Sequence, residues 1–111
     1  MHTAVALCCV NRSLDLVEVA TATVRMKRDD GACLERYVAT GESLGKAGAY
    51  SIQGEGGALV EAVQGDYLGV VGLPLRLVAT LLAGAGLSVP VDLEALYREK
   101  PYPNWAWFAH D

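Results

Sequence analysis

The sequence predicts an α/β domain, a small mixed sheet with flanking helices. Three observations lead there. Residues 3–10 and 16–26 are apolar or β-branched runs of strand length. Residues 73–83 carry an apolar stripe at helical spacing. The chain has 111 residues, 52% hydrophobic and 20% charged. That is enough for one core, too little for two domains, and too apolar for a disordered tail.

The first run, residues 3–10, ends at Asn11-Arg12-Ser13, a turn-like break that favours a strand. The second carries Val17, Val19, Thr21, Thr23 and Val24, whose branched Cβ atoms stiffen the chain toward extended backbone. The two runs can pair as a hairpin. Residues 27–31 are charged and break the pattern. Leu34, Tyr37 and Val38 then fall at helical spacing within residues 32–39, with Asp29 or Asp30 as a cap. Residues 58–64 alternate as a strand, and Gly65-Asp66 marks a turn. Leu73, Leu77, Val78, Leu81 and Leu82 form the helical stripe, read as core, with Pro74 near its first turn and Gly84 and Gly86 ending it. Residues 89–100 begin with Pro90 and suit a short helix carrying Leu93, Leu96 and Tyr97. The tail holds Tyr102, Trp105, Trp107 and Phe108; these rings suit base stacking or packing on the domain or at an interface. No internal repeat is visible.

Nine Lys and Arg against thirteen Asp and Glu give a net charge of −4. That balance argues against a nucleic-acid binder that relies on counterion release, and leaves a local anion pocket open. Cys8 and Cys9 are adjacent, Cys33 stands alone, and no CxxC occurs. The three read as reduced, partly buried thiols. Cys8 or Cys33 as nucleophile would need a base nearby; His2 and His110 as metal ligands, and Asp29-Asp30 as a metal pair, are weaker readings than turn or cap residues. No apolar run reaches membrane-spanning length, and the start lacks the basic region of a signal peptide. The expectation is a cytoplasmic protein without membrane contact.

Residues 41–57 change character, with glycines at 41, 45, 48, 54, 56 and 57. Such a segment is a shaped loop rather than a packed element. Within it, Lys46 is a mobile cation beside exposed backbone N–H groups, which suits a phosphate or another anion. Gln53 offers one acceptor and two donors, enough to read a carbonyl–imide edge such as that of uracil or thymine. Tyr50 suits stacking on a base or filling the core. The spacing is neither a P-loop nor a dinucleotide-binding fingerprint.

Lys46-Ala47-Gly48-Ala49-Tyr50-Ser51-Ile52-Gln53-Gly54, followed by Gly65-Asp66-Tyr67 and Val70-Val71-Gly72-Leu73-Pro74-Leu75, resembles the Maf (septum formation inhibitor) family. The resemblance extends upstream through Tyr37-Val38 to Thr3-Ala4-Val5-Ala6-Leu7, covering roughly residues 2–88. It implies the α/β fold related to inosine triphosphatase-like proteins. It also implies a nucleoside triphosphate pyrophosphatase, which cleaves between the α- and β-phosphates with a divalent metal, Mg or Mn. By that resemblance Lys46 and Gln53 belong to the substrate site and are similar to the branch that prefers thymidine and uridine triphosphates. Tyr50 is the third expected substrate-binding residue.

Departures from the family pattern shape the rest of the expectation. Family members are close to twice this length. Their N-terminal half carries a serine- and arginine-containing phosphate grip and an acidic residue that acts as general base or metal ligand. Asp15, Asp29, Asp30 and Asp66 are not at that acidic position, and Gly45 stands where an aspartate is common. No catalytic residue and no metal ligand is therefore assigned. The reading is a C-terminal half domain over residues 1–89 and a divergent aromatic tail over 90–111. Cleavage is expected to need the missing half, as upstream sequence or a separate chain; a homodimer is the other expected association. A non-catalytic nucleotide-binding remnant and an interaction domain remain the alternatives.

Overall fold

The computed structural model describes residues 1–29 and 31–110, with backbone only for residues 109–110. Strand β1 (His2–Cys9) and strand β2 (Leu14–Thr21) form the expected antiparallel hairpin. Their turn closes on Ser13, whose left-handed backbone lets its N–H donate to the Val10 carbonyl at 3.3 Å. The second apolar run does not stay one strand: it breaks at buried Ala22. Strand β3 (Thr23–Met26) then joins a different sheet. There it pairs antiparallel with β4 (Val60–Gln64), with a register shift at Arg25/Met26, and β4 pairs parallel with β5 (Ala109–His110).

Helix α1 (Ala32–Ala39) starts where the sequence predicts; Gly31 holds the N-cap position, and of the two expected acidic residues Asp29 serves the first turn. Its carboxylate accepts from the N–H groups of Gly31, Cys33 and Leu34 at 3.1, 3.4 and 3.0 Å. The Leu34 N–H bond leads in holding that carboxyl below its usual range. Asp30 lies outside the described residues, so the expected acidic pair is represented by Asp29 alone. On α1 only Tyr37 is buried; Leu34 and Val38 are exposed.

Helix α2 (Tyr67–Val71) is an element that sequence patterning misses, because a five-residue Tyr-Leu-Gly-Val-Val segment shows no period. Its signal was the cap: the Asp66 carboxylate accepts from the Leu68 N–H at 3.0 Å. The same carboxylate accepts from the Tyr97 hydroxyl at 2.7 Å, tying α2 to α4 (Leu93–Glu99). Asp66→Ala is expected to lower stability by about 1–2 kcal/mol through the lost cap and bond. Asp66→Asn, which can still cap, should lose less; urea unfolding measures both.

Helix α3 (Leu75–Gly84) begins two residues later than its apolar stripe. Leu81 is buried, while Leu73 lies before the helix and is 54% exposed, so the stripe is core only in part. The reason is what α3 packs against: chiefly the hairpin on one side, with Leu75 on the core and Arg76 on Tyr97 at its start.

The core gathers on β4, α2 and the tail. Val60, Val63, Tyr67, Trp105, Phe108 and Ile52 are all buried. The Tyr67 ring stacks on Trp105 at 5.3 Å and on Phe108 at 6.2 Å. Tyr97 meets Trp105 edge-on at 5.2 Å. Burial pushes the Tyr67 hydroxyl up to about 12, and it donates to the Pro103 carbonyl. Of the two uses open to the tail rings, packing on the domain is what Trp105 and Phe108 do; Trp107 and Tyr102 are exposed.

The molecule is elongated, 54 × 27 × 20 Å, with a radius of gyration of 16.4 Å. A compact chain of this length has about 13 Å. The hairpin accounts for this shape in part: its strands pair only with each other, and one face shows Ala4, Ala6, Val17 and Val19 to solvent. No helix among the described residues is long and apolar enough to cross a membrane.

Candidate functional site

The glycine-rich loop is built around one carboxylate. Glu42 Oε1 accepts from the Tyr37 hydroxyl at 2.8 Å and from the Gly56 N–H at 3.0 Å. Its Oε2 accepts from the Glu55 N–H at 3.2 Å. The Tyr37 oxygen in turn accepts from the Ser51 N–H at 2.9 Å. One acidic side chain thus joins α1 to both arms of the loop. The Gly56 N–H, then the Tyr37 hydroxyl, hold the Glu42 carboxyl below its ordinary range, so it stays ionised as the hub of these bonds.

Between those anchors the chain forms two tight turns. In the first, Ala47–Ala49, the Ala49 N–H donates to the Lys46 carbonyl at 3.0 Å. Gly48 has φ 71° there, and a Cβ on it would lie 2.9 Å from the Tyr50 ring, so the ring sits directly under the turn. In the second, Glu55–Leu59, the Gly57 N–H donates to the Gly54 carbonyl at 3.1 Å.

The loop and α2 enclose a cavity of about 360 Å³. Lys46, Tyr50, Ser51 and Gln53 line it from the loop, Val70 and Val71 from α2, and Met1 from the chain start. The three residues singled out from the sequence therefore share one wall. Lys46 is exposed; Gln53 and Tyr50 are half-buried. Of the two uses open to Tyr50, filling the core is the one seen, since it packs against the core cluster while one side of it lines the cavity. Burial raises its hydroxyl above the ordinary tyrosine value, so it remains an O–H donor at neutral pH. The wall thus presents one cation, one carboxamide, a phenol and a hydroxyl beside two valines.

No carboxylate lines this cavity, and among the described residues no three His, Cys, Asp or Glu side chains gather as a metal site. A hard divalent cation is held by several oxygens, usually including carboxylates. The residues lining this wall do not fit one.

The other sequence candidates lie elsewhere. The His2 ring hydrogen-bonds Thr21 Oγ1 across the hairpin at 2.9 Å. The His110 ring lies outside the described residues. Cys8 donates to Asp15 Oδ1 at 3.6 Å, and that bond, with the carboxylate's charge, raises the thiol, the reverse of what a nucleophile needs. Cys33 meets Arg36 Nη2 at 3.1 Å. All three thiols are free; Cys8 and Cys33 are exposed rather than partly buried.

Two residues that shape the site escaped the sequence reading. One is Glu42. The other is Asn104, whose Nδ2 donates to the carbonyls of Ile52 and Gly54 at 2.8 and 3.1 Å. A hint for Glu42 was present in the crowding of glycines: a Cβ on Gly54 would lie 2.6 Å from its carboxylate. Nothing in the sequence marks Asn104, which reaches the loop from about fifty residues away.

A family model described as Maf-like protein matches residues 1–85, a span that contains the hairpin, the whole loop and α2. The chain belongs to the Maf family. Among curated Maf relatives, a dTTP/UTP pyrophosphatase of Bordetella parapertussis is 50% identical over 90 residues, covering 81% of this chain and 42% of the relative. One from Methylobacillus flagellatus is 47% identical over 95 residues, 81% of this chain and 44% of the relative. One from Oleidesulfovibrio alaskensis is 44% identical over 107 residues, 93% of this chain and 49% of the relative. The chain thus spans less than half the length of these Maf relatives. Its α/β architecture agrees with a partial Maf-like fold.

Proposed function

We propose that this chain is the nucleotide-holding part of a nucleoside triphosphate pyrophosphatase that takes dTTP and UTP to the monophosphate and pyrophosphate, in the cytoplasm. The observation that carries the reading is one wall with a cation, Lys46, and a carboxamide, Gln53, about a cavity of nucleotide-compatible size. The names of the relatives support the same substrates.

The chemistry divides accordingly. The Lys46 ammonium neutralises phosphate charge. The Gln53 carboxamide pairs a donor and an acceptor with the carbonyl–imide edge of uracil or thymine. Tyr50 supplies a ring face and an O–H. Residues 1–89 form the Maf unit in this reading, and 90–111 an added segment.

Cleavage breaks a phosphoanhydride bond by attack of water, which needs a base and further charge neutralisation. The wall holds one cation and no carboxylate. The base, and the ligands for the Mg or Mn ion that the family implies, belong in this proposal to polypeptide packed against the cavity. That polypeptide is a second copy or the part of the Maf fold outside the match. The carboxylate-free wall also favours a second reading, a module that binds nucleotide and does no chemistry.

Calorimetry with UTP and a pyrophosphate-release assay with dTTP, UTP and magnesium separate these readings. UTP is expected to bind the 111-residue chain. Lys46→Ala should weaken that binding about 10–100-fold, the worth of a charge-assisted contact. Gln53→Ala should reduce the preference for UTP over CTP. Unchanged affinity in both variants would remove the site assignment. Pyrophosphate release by the purified chain would exclude the binding-only reading.

A further inference from the structure

We infer that Asn104 is a positioning residue for Gln53, carried to the loop by a strap that the C-terminal segment forms across the domain. The inference rests on the nucleotide reading of the cavity and adds to it the group that aims its base-reading side chain. Asn104 lies beyond residue 85, where the family model ends.

The geometry is specific. The Asn104 carboxamide has two N–H donors on one nitrogen. They meet the carbonyl of Ile52 at 2.8 Å and that of Gly54 at 3.1 Å. Those carbonyls stand immediately before and after Gln53, so one side chain grips the backbone on both sides of it. Both neighbours are acceptors, which fixes the nitrogen rather than the oxygen toward the loop. The loop is also shaped to receive this group. A Cβ on Gly57 would lie 2.6 Å from Asn104 Nδ2, a close approach that a side chain there would block.

The strap itself has little freedom. Just before Asn104, the Pro103 carbonyl accepts from the Tyr67 hydroxyl. Just after it, Trp105 is 2% exposed and stacked on the Tyr67 ring. Asn104 has φ 67°, a left-handed conformation that Asn adopts more readily than most residues. The Trp107 N–H donates back to the Asn104 carbonyl at 3.0 Å. A side chain held this firmly from behind transmits the rigidity of the aromatic core to Gln53.

The far side of the loop has separate anchors, the bonds of Glu42 and Tyr37. Those bonds hold Ser51 and Gly56, while the Lys46 carbonyl is held by the Ala49 N–H; loss of the Asn104 grip therefore frees the two carbonyls that flank Gln53 and breaks no bond of Lys46. Loose aim at a recognition group lowers discrimination more than it lowers phosphate affinity.

Calorimetric titration with UTP, CTP and inorganic tripolyphosphate tests this on the full chain and on Asn104→Gly and Asn104→Asp. Glycine keeps the left-handed backbone and removes the grip. Aspartate keeps the shape and replaces donors with acceptors. Both variants are expected to lose about tenfold in UTP affinity, with the UTP-to-CTP ratio falling toward one and tripolyphosphate affinity unchanged. A fall shared equally by UTP and tripolyphosphate would mean a merely structural role and overturn the inference. So would an unchanged UTP-to-CTP ratio in Asn104→Asp. If the wild-type chain binds no UTP, the nucleotide reading fails first and this inference with it. If the wild type binds and discriminates and the variants match it, only the positioning role fails.

Discussion

Trp105→Ala is expected to lower the free energy of unfolding by about 3–5 kcal/mol, the usual range for deleting a large buried ring. Trp105 is 2% exposed and contacts three aromatic neighbours: it stacks on Tyr67, receives the edge of Tyr97 and lies parallel to Tyr102 at 6.2 Å. Alanine would remove the ring that Tyr67 stacks on and leave a void that stiff α2 and β4 cannot close. Domains of this size hold about 5–15 kcal/mol in total, so the loss takes about a fifth of it or more. The thermal midpoint should fall by well over 10 °C, at about 4 °C or more per kcal/mol. Trp107, two residues on and 68% exposed, is the control: Trp107→Ala should stay within about 0.5 kcal/mol of wild type. Urea unfolding of the two variants measures the contrast. Equal losses would mean that the tail does not pack as described.

That contrast also marks how far the sequence could be read. Local chemistry was legible wherever a short-range rule operates. The β-branched residues of β2, the hold of Asp29 on the first turn of α1 and the paired runs of the hairpin all follow from neighbours in the chain. Lys46, Tyr50 and Gln53 could be singled out because the glycines around them announce a shaped loop, and the three line one cavity. Long-range relations were not legible. Trp105 and Trp107 read alike in sequence, yet one is core and the other faces solvent, because only the first meets Tyr67. Helix α2 was too short to show a period, and the α3 stripe overstated burial because periodicity says which face is apolar, not what covers it. Asn104 acts on backbone groups alone, which carry no residue-specific signal, and Glu42 acts on two backbone N–H groups besides the Tyr37 hydroxyl, with only the nearby glycines to hint at it.

Gly56→Ala is the second large effect expected, and it acts on stability and site together. A Cβ at residue 56 would lie 2.7 Å from the Ser51 carbonyl oxygen, 2.9 Å from the Ser51 nitrogen and 2.7 Å from the Tyr37 hydroxyl. Two of these three are backbone atoms, so no side-chain rotation relieves the crowding. The loop must open, which stretches the Gly56 N–H bond to Glu42 and the Ser51 N–H bond to Tyr37. Overpacking of this kind costs about 1–3 kcal/mol, and two weakened bonds put this case at the upper end. Ser51 itself lines the cavity between Tyr50 and Gln53, so its displacement spreads the recognition wall. UTP affinity should fall more than tenfold, in phosphate and base recognition alike, unlike the selective loss expected for Asn104→Gly. Gly84→Ala is the matched control. Its Cβ meets nothing within 4 Å at the end of α3, and alanine there should stabilise the chain by about 0.4–1 kcal/mol. If Gly56→Ala behaved like Gly84→Ala in thermal unfolding and UTP titration, the close wrapping of the loop around Glu42 and Tyr37 would have to be abandoned. Lys46 and Gln53 would then lack the scaffold that holds them on one wall.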